Sequence, residues 1–599
     1  MDPGADDFPS LYKEHNGERY LTPTDLCARP SKPKRILLVG SCLAETWVPK
    51  STCPCDFVLA NNLSHLPEQP PNPIESYDLQ IVQLSLRFIM TDNALWNASF
   101  LDELAPEQAF EEALQRLHQS LKVILGWNST YNVLTLCSNF LVPQQNPMGR
   151  FAPRYDLRNP VYFVEQLNQY LVKELREYRN VFLLDVDGIS SVFGKKNIQD
   201  DAMDILAHGS LLSNFAYERD MQRIEPVPRL TEHYAHFRDG YIAAVWRNVL
   251  AMYKTLNQED GVKLVIVDLD NTLWRGVVAE GEEIDGQTNE GWPLGLMEAL
   301  IYLKKRGIVL AIASQNEESK IRALWPQMMH GKVEIDDFAV VKINWRPKVE
   351  NIEEILKVVN VAPRHTVFID DSPVERSRVQ SVFPEIRVLG KYPYYLRRVL
   401  LWSPETQVPW VTPESAKRSE MIQSQVVRET ARQGMSRESF LATLAIELET
   451  SEMSSVDDEK FPRALELLNK TNQFNTTGKR WNREECDARF KQGTVFTVFH
   501  VKDRFASYGL VGCVVLSGEV IEQFVMSCRV IGMDIEDAVL SKILERIRAN
   551  GGNLVTAKLV ETKDNFPCRD LYLKCGFHQM GQLWQKSVAP EGVAQSPIN

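Results

Sequence analysis

The 599-residue chain carries 79 acidic against 67 basic side chains, and the formal charge of −12 argues against a general binder of nucleic acid or anionic membrane. It is too long for one hydrophobic core, so about three domains of ordinary size are expected. No apolar run approaches bilayer-crossing length, and MDPGADDFPSLYKEH lacks the basic start and apolar stretch of a signal peptide; a cytoplasmic protein with no membrane partner is expected, its ten cysteines mostly free thiols.

A polar leader over 1–33 precedes RILLVG (35–40), which reads as a buried strand. Cys53 and Cys55 stand too close for an ordinary zinc hook and read as loop. Strand-like YDLQIVQLSL, NVLTLC and NVFLLDVDGI then alternate with helical EQAFEEALQRLHQSLKVIL and FVEQLNQYLVKELREY, which predicts a parallel α/β sheet over 34–230. A second α/β unit over 255–390 takes its strands from KLVIVDLD, IVLAIAS, VVKINW and HTVFIDDSP, short and rich in Val and Ile as buried parallel strands are. Several prolines and the charged run SAKRSEMIQSQVVRETARQ mark 391–436 as a linker. From 437 to 586, strand-like TVFTVFHV, GLVGCVVL, VIEQFVMSC and LVTAKLV lie among helical FPRALELLNKTNQF, EDAVLSKILERIRAN and RDLYLKCGF, which predicts a mixed α/β domain with a central meander. Residues 587–599 read as a disordered tail.

The chemistry concentrates in VIVDLDNTLW. Residues two apart on an extended chain face the same side, so Asp268 and Asp270 converge at a strand's carboxyl end, where ligands of parallel sheets bind. Ser314 after IVLAIA, Lys348 in NWRPKVEN, and Asp370 with Asp371 after TVFI fall where the same sheet edge would present them. A carboxylate attacking phosphorus meets another anion. A cation between them relieves the repulsion, a lysine and a hydroxyl hold the phosphoryl oxygens, and a second carboxylic acid protonates the leaving oxygen. An Asp-rich turn explains DLDNT alone but not all four stations together.

This order of motifs resembles the haloacid dehalogenase superfamily. The resemblance implies Asp268 as nucleophile, Asp270 as general acid/base, Ser314 and Lys348 as phosphate-binding, and Mg²⁺ near Asp268, Asp270, Asp370 and Asp371. Only WRGVVAEGEEIDGQTNEGW follows Asp270 before the next pattern, too short for a cap domain, and an uncapped site suits a large or carrier-borne substrate. DLDNTLWRGVVAE, NWRPKVENI, FIDDSPVER, LLNKTNQFNTT and MSCRVIGMDIEDAVL together look like FkbH-like proteins of polyketide pathways, over about 260–585, although WRGVVAEGE is poorer in glycine than expected. That resemblance implies a glyceryl group taken from 1,3-bisphosphoglycerate, dephosphorylated and loaded on an acyl carrier protein.

The last domain resembles the GNAT acyltransferase fold, with VIEQFVMSC as the strand beside which acyl-pantetheine lies. Its loop RVIGMDIED has one glycine and three acids where a pyrophosphate-binding loop would be glycine-rich, which favours a carrier-protein pantetheine over a nucleotide cofactor. Cys528 beside Arg529 is a candidate acyl-accepting thiolate, against the alternative of a buried small hydrophobe. Asn472, Gln473, Phe474, Asn475 and Arg529 are candidates to line the same pocket, although a helix end rich in Asn explains the first four equally well.

The first domain partly resembles the SGNH hydrolases. Ser41 or Cys42, in RILLVGSCLAETW, would stand at the nucleophile's position, with Asp204 and His208 as acid and base spaced one residue too wide. A docking or structural role is the alternative. The composite expectation is a cytoplasmic Mg²⁺-dependent phosphatase and glyceryl transferase acting on a carrier protein. A phosphatase fused to an acetyltransferase and a non-catalytic carrier-binding scaffold are the rival readings.

Overall fold

The computed structural model describes residues 32–60, 66–91, 104–199, 230–258, 260–277, 287–411, 437–562, 565–581 and 583–588, with a few isolated residues between them. Two compact units emerge, the first formed by the chain to Glu259 with Trp402–Glu405, the second by Asp260–Leu401 and Thr406 onward. Among the described residues no helix is long and apolar enough to cross a membrane.

The first unit holds a five-stranded parallel sheet of β1 (Ile36–Gly40), β2 (Cys55–Leu59), β3 (Leu79–Gln83), β4 (Thr135–Ser138) and β5 (Val181–Leu184), in the order β2-β1-β3-β4-β5. Cys55 therefore opens a strand, not a loop: pairing with β1 organises a run too short and polar-flanked to be recognised by pattern. The unit also extends past the expected boundary at 230. Helix Leu230–Leu256 buries Tyr241, Val245, Trp246 and Val249 against Ile36 and Leu38 of β1, and each such side chain contributes roughly 1.5–3 kcal/mol.

The second unit contains two sheets. One is parallel, of β6 (Leu264–Val267), β7 (Val309–Ser314), β8 (Val340–Ile343), β9 (Thr366–Ile369) and β10 (Arg387–Leu389), ordered β10-β9-β6-β7-β8. Its central strands are wholly buried because helices cover both faces, as the unbroken apolar runs LVIV, VLAIAS and TVFI require. Between β6 and β7 lies helix Trp292–Lys305; residues 278–286 are outside the described part. The expected linker begins instead as a packed helix, Pro393–Trp402, whose Leu396, Val399 and Leu400 are buried: proline at its first position starts it, and the apolar spacing that follows gives it one buried face.

The remaining sheet has seven strands, β11 (Glu447–Met453), β12 (Thr494–Lys502), β13 (Ser507–Ser517), β14 (Val520–Met526), β15 (Leu554–Lys558), β16 (His578–Met580) and β17 (Leu583–Ser587), ordered β11-β12-β13-β14-β15-β17-β16. β11 to β14 form an antiparallel meander, whereas β14 and β15 run parallel. Ser587 ends β17, and Val588 is buried with its N–H bonding Asn553 O, so these two residues of the expected tail belong to the packed domain; residues 589–599 lie outside the described part.

Candidate active site

The site forms where β6, β7 and β9 end side by side. Asp268 follows β6 directly, and its backbone N–H still bonds Ile369 O of β9, so its carboxylate emerges at the sheet edge in fixed register. Lys348 opens helix Lys348–Val359, and its Nζ lies 2.8 Å from Asp268 Oδ2 and 2.6 Å from Asp370 Oδ2. All three are nearly inaccessible to solvent. Asp268, Asp370 and Asp371 can bring one carboxylate oxygen each within 4.8 Å of the others. Ser314 is buried as the last residue of β7.

Electrostatics identify what the site needs. Burial and the neighbouring Asp268 charge push the Asp370 carboxyl up to about 6, against the opposing pull of Lys348, and the same two causes raise Asp371. Burial acts to lower Lys348, yet the charges of Asp268 and Asp370 keep its ammonium above the ordinary lysine value. One ammonium among three carboxylates leaves negative charge uncompensated. Hard oxygen donors in that number fit a small divalent cation.

The signs give a test. Because Asp370 has a higher pKa folded than unfolded, its ionisation costs stability in the folded state. The chelator-treated protein should lose stability as pH rises from about 4 to about 6, and Asp370→Asn should remove that part of the slope. Denaturation midpoints measured across this window check it; identical slopes in both proteins would refute it.

Several supporting residues carry no sequence motif of their own. Thr272 Oγ1 accepts the Asp371 N–H at 3.0 Å, the Ser372 N–H reaches Asp370 Oδ1 at 2.8 Å, and Arg376 Nη1 donates to the backbone oxygens of Asp370 and Asp371 at 2.6 Å each. Gly390, at φ +121°, passes so close that a Cβ would lie 2.0 Å from Asp370 O. The Asp270 carboxylate stands outside the three-acid group, with Trp274 Nε1 donating to Oδ1 at 3.0 Å and Asn316 Nδ2 to Oδ2 at 2.6 Å. Both donors are neutral.

In the seven-stranded sheet, β14 and β15 pair only at Val520 with Thr556 and Ile521 with Ala557, then part. The chain's own Phe474–Thr476 enters that fork. Thr476 N–H bonds Phe524 O, Met526 N–H bonds Phe474 O, and Val560 N–H bonds Thr476 O at 2.7 Å. Asn475 is fully buried, its Oδ1 accepting from Gln523 and its carbonyl from Asn565. Phe474 and Asn475 thus fill the edge of β14 instead of lining an open pocket there, because an unpaired strand edge is satisfied by whatever backbone reaches it. Asn472 bonds Arg480, and Gln473 Oε1 is buried with no hydrogen-bond partner among the described residues. Arg529 is buried with Nε on Ser527 Oγ at 2.9 Å. The Cys528 backbone lies in the turn Cys528–Val530, while its side chain falls outside the described part.

In the first unit, Ser41 follows β1 as the cap of the short helix Cys42–Glu45. Its Oγ accepts the Leu43 N–H and donates to Gln83 Oε1 at 2.8 Å, so the hydroxyl is engaged locally, while Cys42 is exposed. Asp204 and His208 lie outside the described residues.

No family model and no curated protein matches this chain. Among solved structures it is similar to the N-terminal part of the protein BF1531 from Bacteroides fragilis, containing a phosphatase domain complexed with Mg, at 20% identity and TM-score 0.42, over 65% of this chain and 97% of that one. A putative acetyltransferase of the GNAT family from Desulfovibrio desulfuricans is similar at 14% identity and TM-score 0.18, over 24% of this chain and 100% of that one. A haloacid dehalogenase superfamily hydrolase from Geobacter sulfurreducens is similar at 16% identity and TM-score 0.17, over 23% and 100%.

Proposed function

We propose that this chain is a Mg²⁺-dependent hydrolase of phosphate compounds that works through Asp268 in a haloacid dehalogenase-type site. The observation that carries the reading is the meeting of Asp268, Asp370, Asp371 and Lys348 at one sheet edge. Mg²⁺ held by the three carboxylates would offset the charge between the attacking carboxylate and the phosphate. An Asp268 oxygen attacks phosphorus, the P–O bond to the leaving group breaks, and Asp270 gives its proton to the departing oxygen. Water then attacks the aspartyl phosphate and yields a proton to Asp270. The bond from phosphorus to Asp268 breaks and inorganic phosphate leaves, while Lys348 and Ser314 hold the phosphoryl oxygens throughout.

The resemblance to FkbH-like proteins extends this to a phosphorylated three-carbon acyl donor such as 1,3-bisphosphoglycerate. In that reading a carrier-protein thiol sulfur attacks the acyl carbon, a C–S bond forms as the C–O bond to the acyl phosphate breaks, the thiol proton passes to the departing inorganic phosphate, and Asp268 removes the second phosphate; a relay would make the same thioester first on Cys528 and then exchange it with the carrier thiol. The occupied fork at β14 favours a plainer reading in which hydrolysis at Asp268 is the whole chemistry and the last sheet takes no pantetheine. Incubating the chain with 1,3-bisphosphoglycerate, Mg²⁺ and an acyl carrier protein tests both. Phosphate release abolished by chelator is expected under either, and a glyceryl mass on the carrier only under the first. Undiminished release in chelator would refute the metal-dependent site.

A further inference from the structure

The Asp270 carboxyl has a harder task than Asp268: it must give a proton and later take one back, which requires a fixed direction toward the leaving oxygen. The structure fixes it from two sides. Trp274, four residues on, is fully buried, packs edge-on against Trp325 at 6.0 Å between ring centres, and donates its Nε1–H to Oδ1. Trp325 in turn packs edge-on against Phe338, so the indole has little freedom. Asn316 is buried and donates Nδ2–H to Oδ2 from the loop that leaves β7. That loop follows Ser314, so the strand that supplies a phosphate-binding hydroxyl is followed, two residues later, by a clamp on the acid.

Both donors are neutral. They orient the carboxyl without adding a charge that would compete with Lys348 for the three acids. A buried indole N–H and a buried amide aimed at one carboxyl are an arrangement that packing alone does not call for, since a phenylalanine and a leucine would fill the same space.

We propose that Trp274 and Asn316 are positioning residues that direct Asp270 at the leaving oxygen and thereby set which phosphate compounds the site turns over. The proposal rests on the hydrolase reading of Asp268. An alkyl phosphate must leave as an alcohol and needs the Asp270 proton. An acyl phosphate leaves as a carboxylate and does not. Loosening Asp270 therefore penalises the first class and largely spares the second.

The test is kcat/KM of the full chain with Mg²⁺ for the best alkyl phosphate of a panel and for acetyl phosphate, because this ratio reports the steps up to departure of the leaving group. Trp274→Phe is expected to lower the alkyl phosphate value by about tenfold or more and the acetyl phosphate value by less than about threefold. In an Asp270→Asn background, where there is no proton to direct, Trp274→Phe should cause no further loss on the alkyl phosphate. Asn316→Leu carries the same test should the tryptophan variant fail to fold. Equal losses on both substrates, no loss on either, or full additivity with Asp270→Asn would overturn the proposal. Failure of the wild-type chain to show Asp268-dependent release from any substrate would overturn the hydrolase reading as well, and is distinguishable because it needs no variant of Trp274 or Asn316.

Discussion

Replacing Asp268 with asparagine is expected to reduce phosphate release by on the order of a thousandfold or more while leaving the fold in place. The amide cannot form the phosphoryl-enzyme bond, and it removes one of the three carboxylates grouped for a cation. The backbone contribution survives, since the N–H of residue 268 bonds Ile369 O whichever side chain is present. Lys348 keeps its partner Asp370 at 2.6 Å, so no buried ammonium is stranded. The charge that helps push Asp370 up disappears, so the metal-free variant should be at least as stable as the parent above pH 6. Phosphate release at saturating Mg²⁺ together with thermal denaturation in chelator checks both halves. A variant with undiminished turnover would refute the nucleophile, and one that melts far below the parent would mean Asp268 is held for stability.

Much of this site was legible in the sequence because three of its four stations follow one local rule, Lys348 alone entering from the start of a helix. A buried strand that ends in polar residues delivers them to the carboxyl edge, and LVIV, VLAIAS and TVFI each end so. Trp274 and Asn316 were not legible as positioning groups. An indole in DLDNTLW reads as core, and nothing local reveals that Asp270 lies within reach of a side chain 46 residues away. The same limit applies to Asp270 itself, whose partners Trp274 and Asn316 come together only in the fold.

The last sheet shows the other kind of failure. Phe474 and Asn475 lie beside β14, but local composition cannot distinguish side chains that line a gap from backbone that fills it. Filling is decided by pairing across 48 residues, through Gln523 with Asn475 and Phe524 with Thr476. The helix Leu230–Leu256 escaped for a related reason: its weak amphipathic pattern gains meaning only once Tyr241 and Trp246 meet β1.

Lys348→Met should combine the second largest loss of activity with a stability defect whose pH dependence identifies its cause. Methionine keeps most of the side chain's length and apolar stem, so the change is chiefly one of charge. Without the ammonium, Asp268 and Asp370 face one another in a site shut off from water, and breaking such a buried pair costs about 3–5 kcal/mol. The phosphoryl group loses a cation as well, which should lower kcat/KM by roughly a hundredfold or more. Because the pKa of Lys348 is raised in the folded chain, its contribution is present throughout neutral pH, so the change with pH must come from the acids. At pH 5 Asp370 is largely protonated and the lost partner matters little. As pH rises through about 6 the carboxyl ionises beside Asp268, and the gap between variant and parent should widen. Added Mg²⁺ should narrow it again by supplying positive charge to the same oxygens. Melting temperatures of both proteins at pH 5 and 7.5, with chelator and with Mg²⁺, check each step. A gap that is the same at both pH values and indifferent to Mg²⁺ would place Lys348 in packing and not in the electrostatic balance of the site.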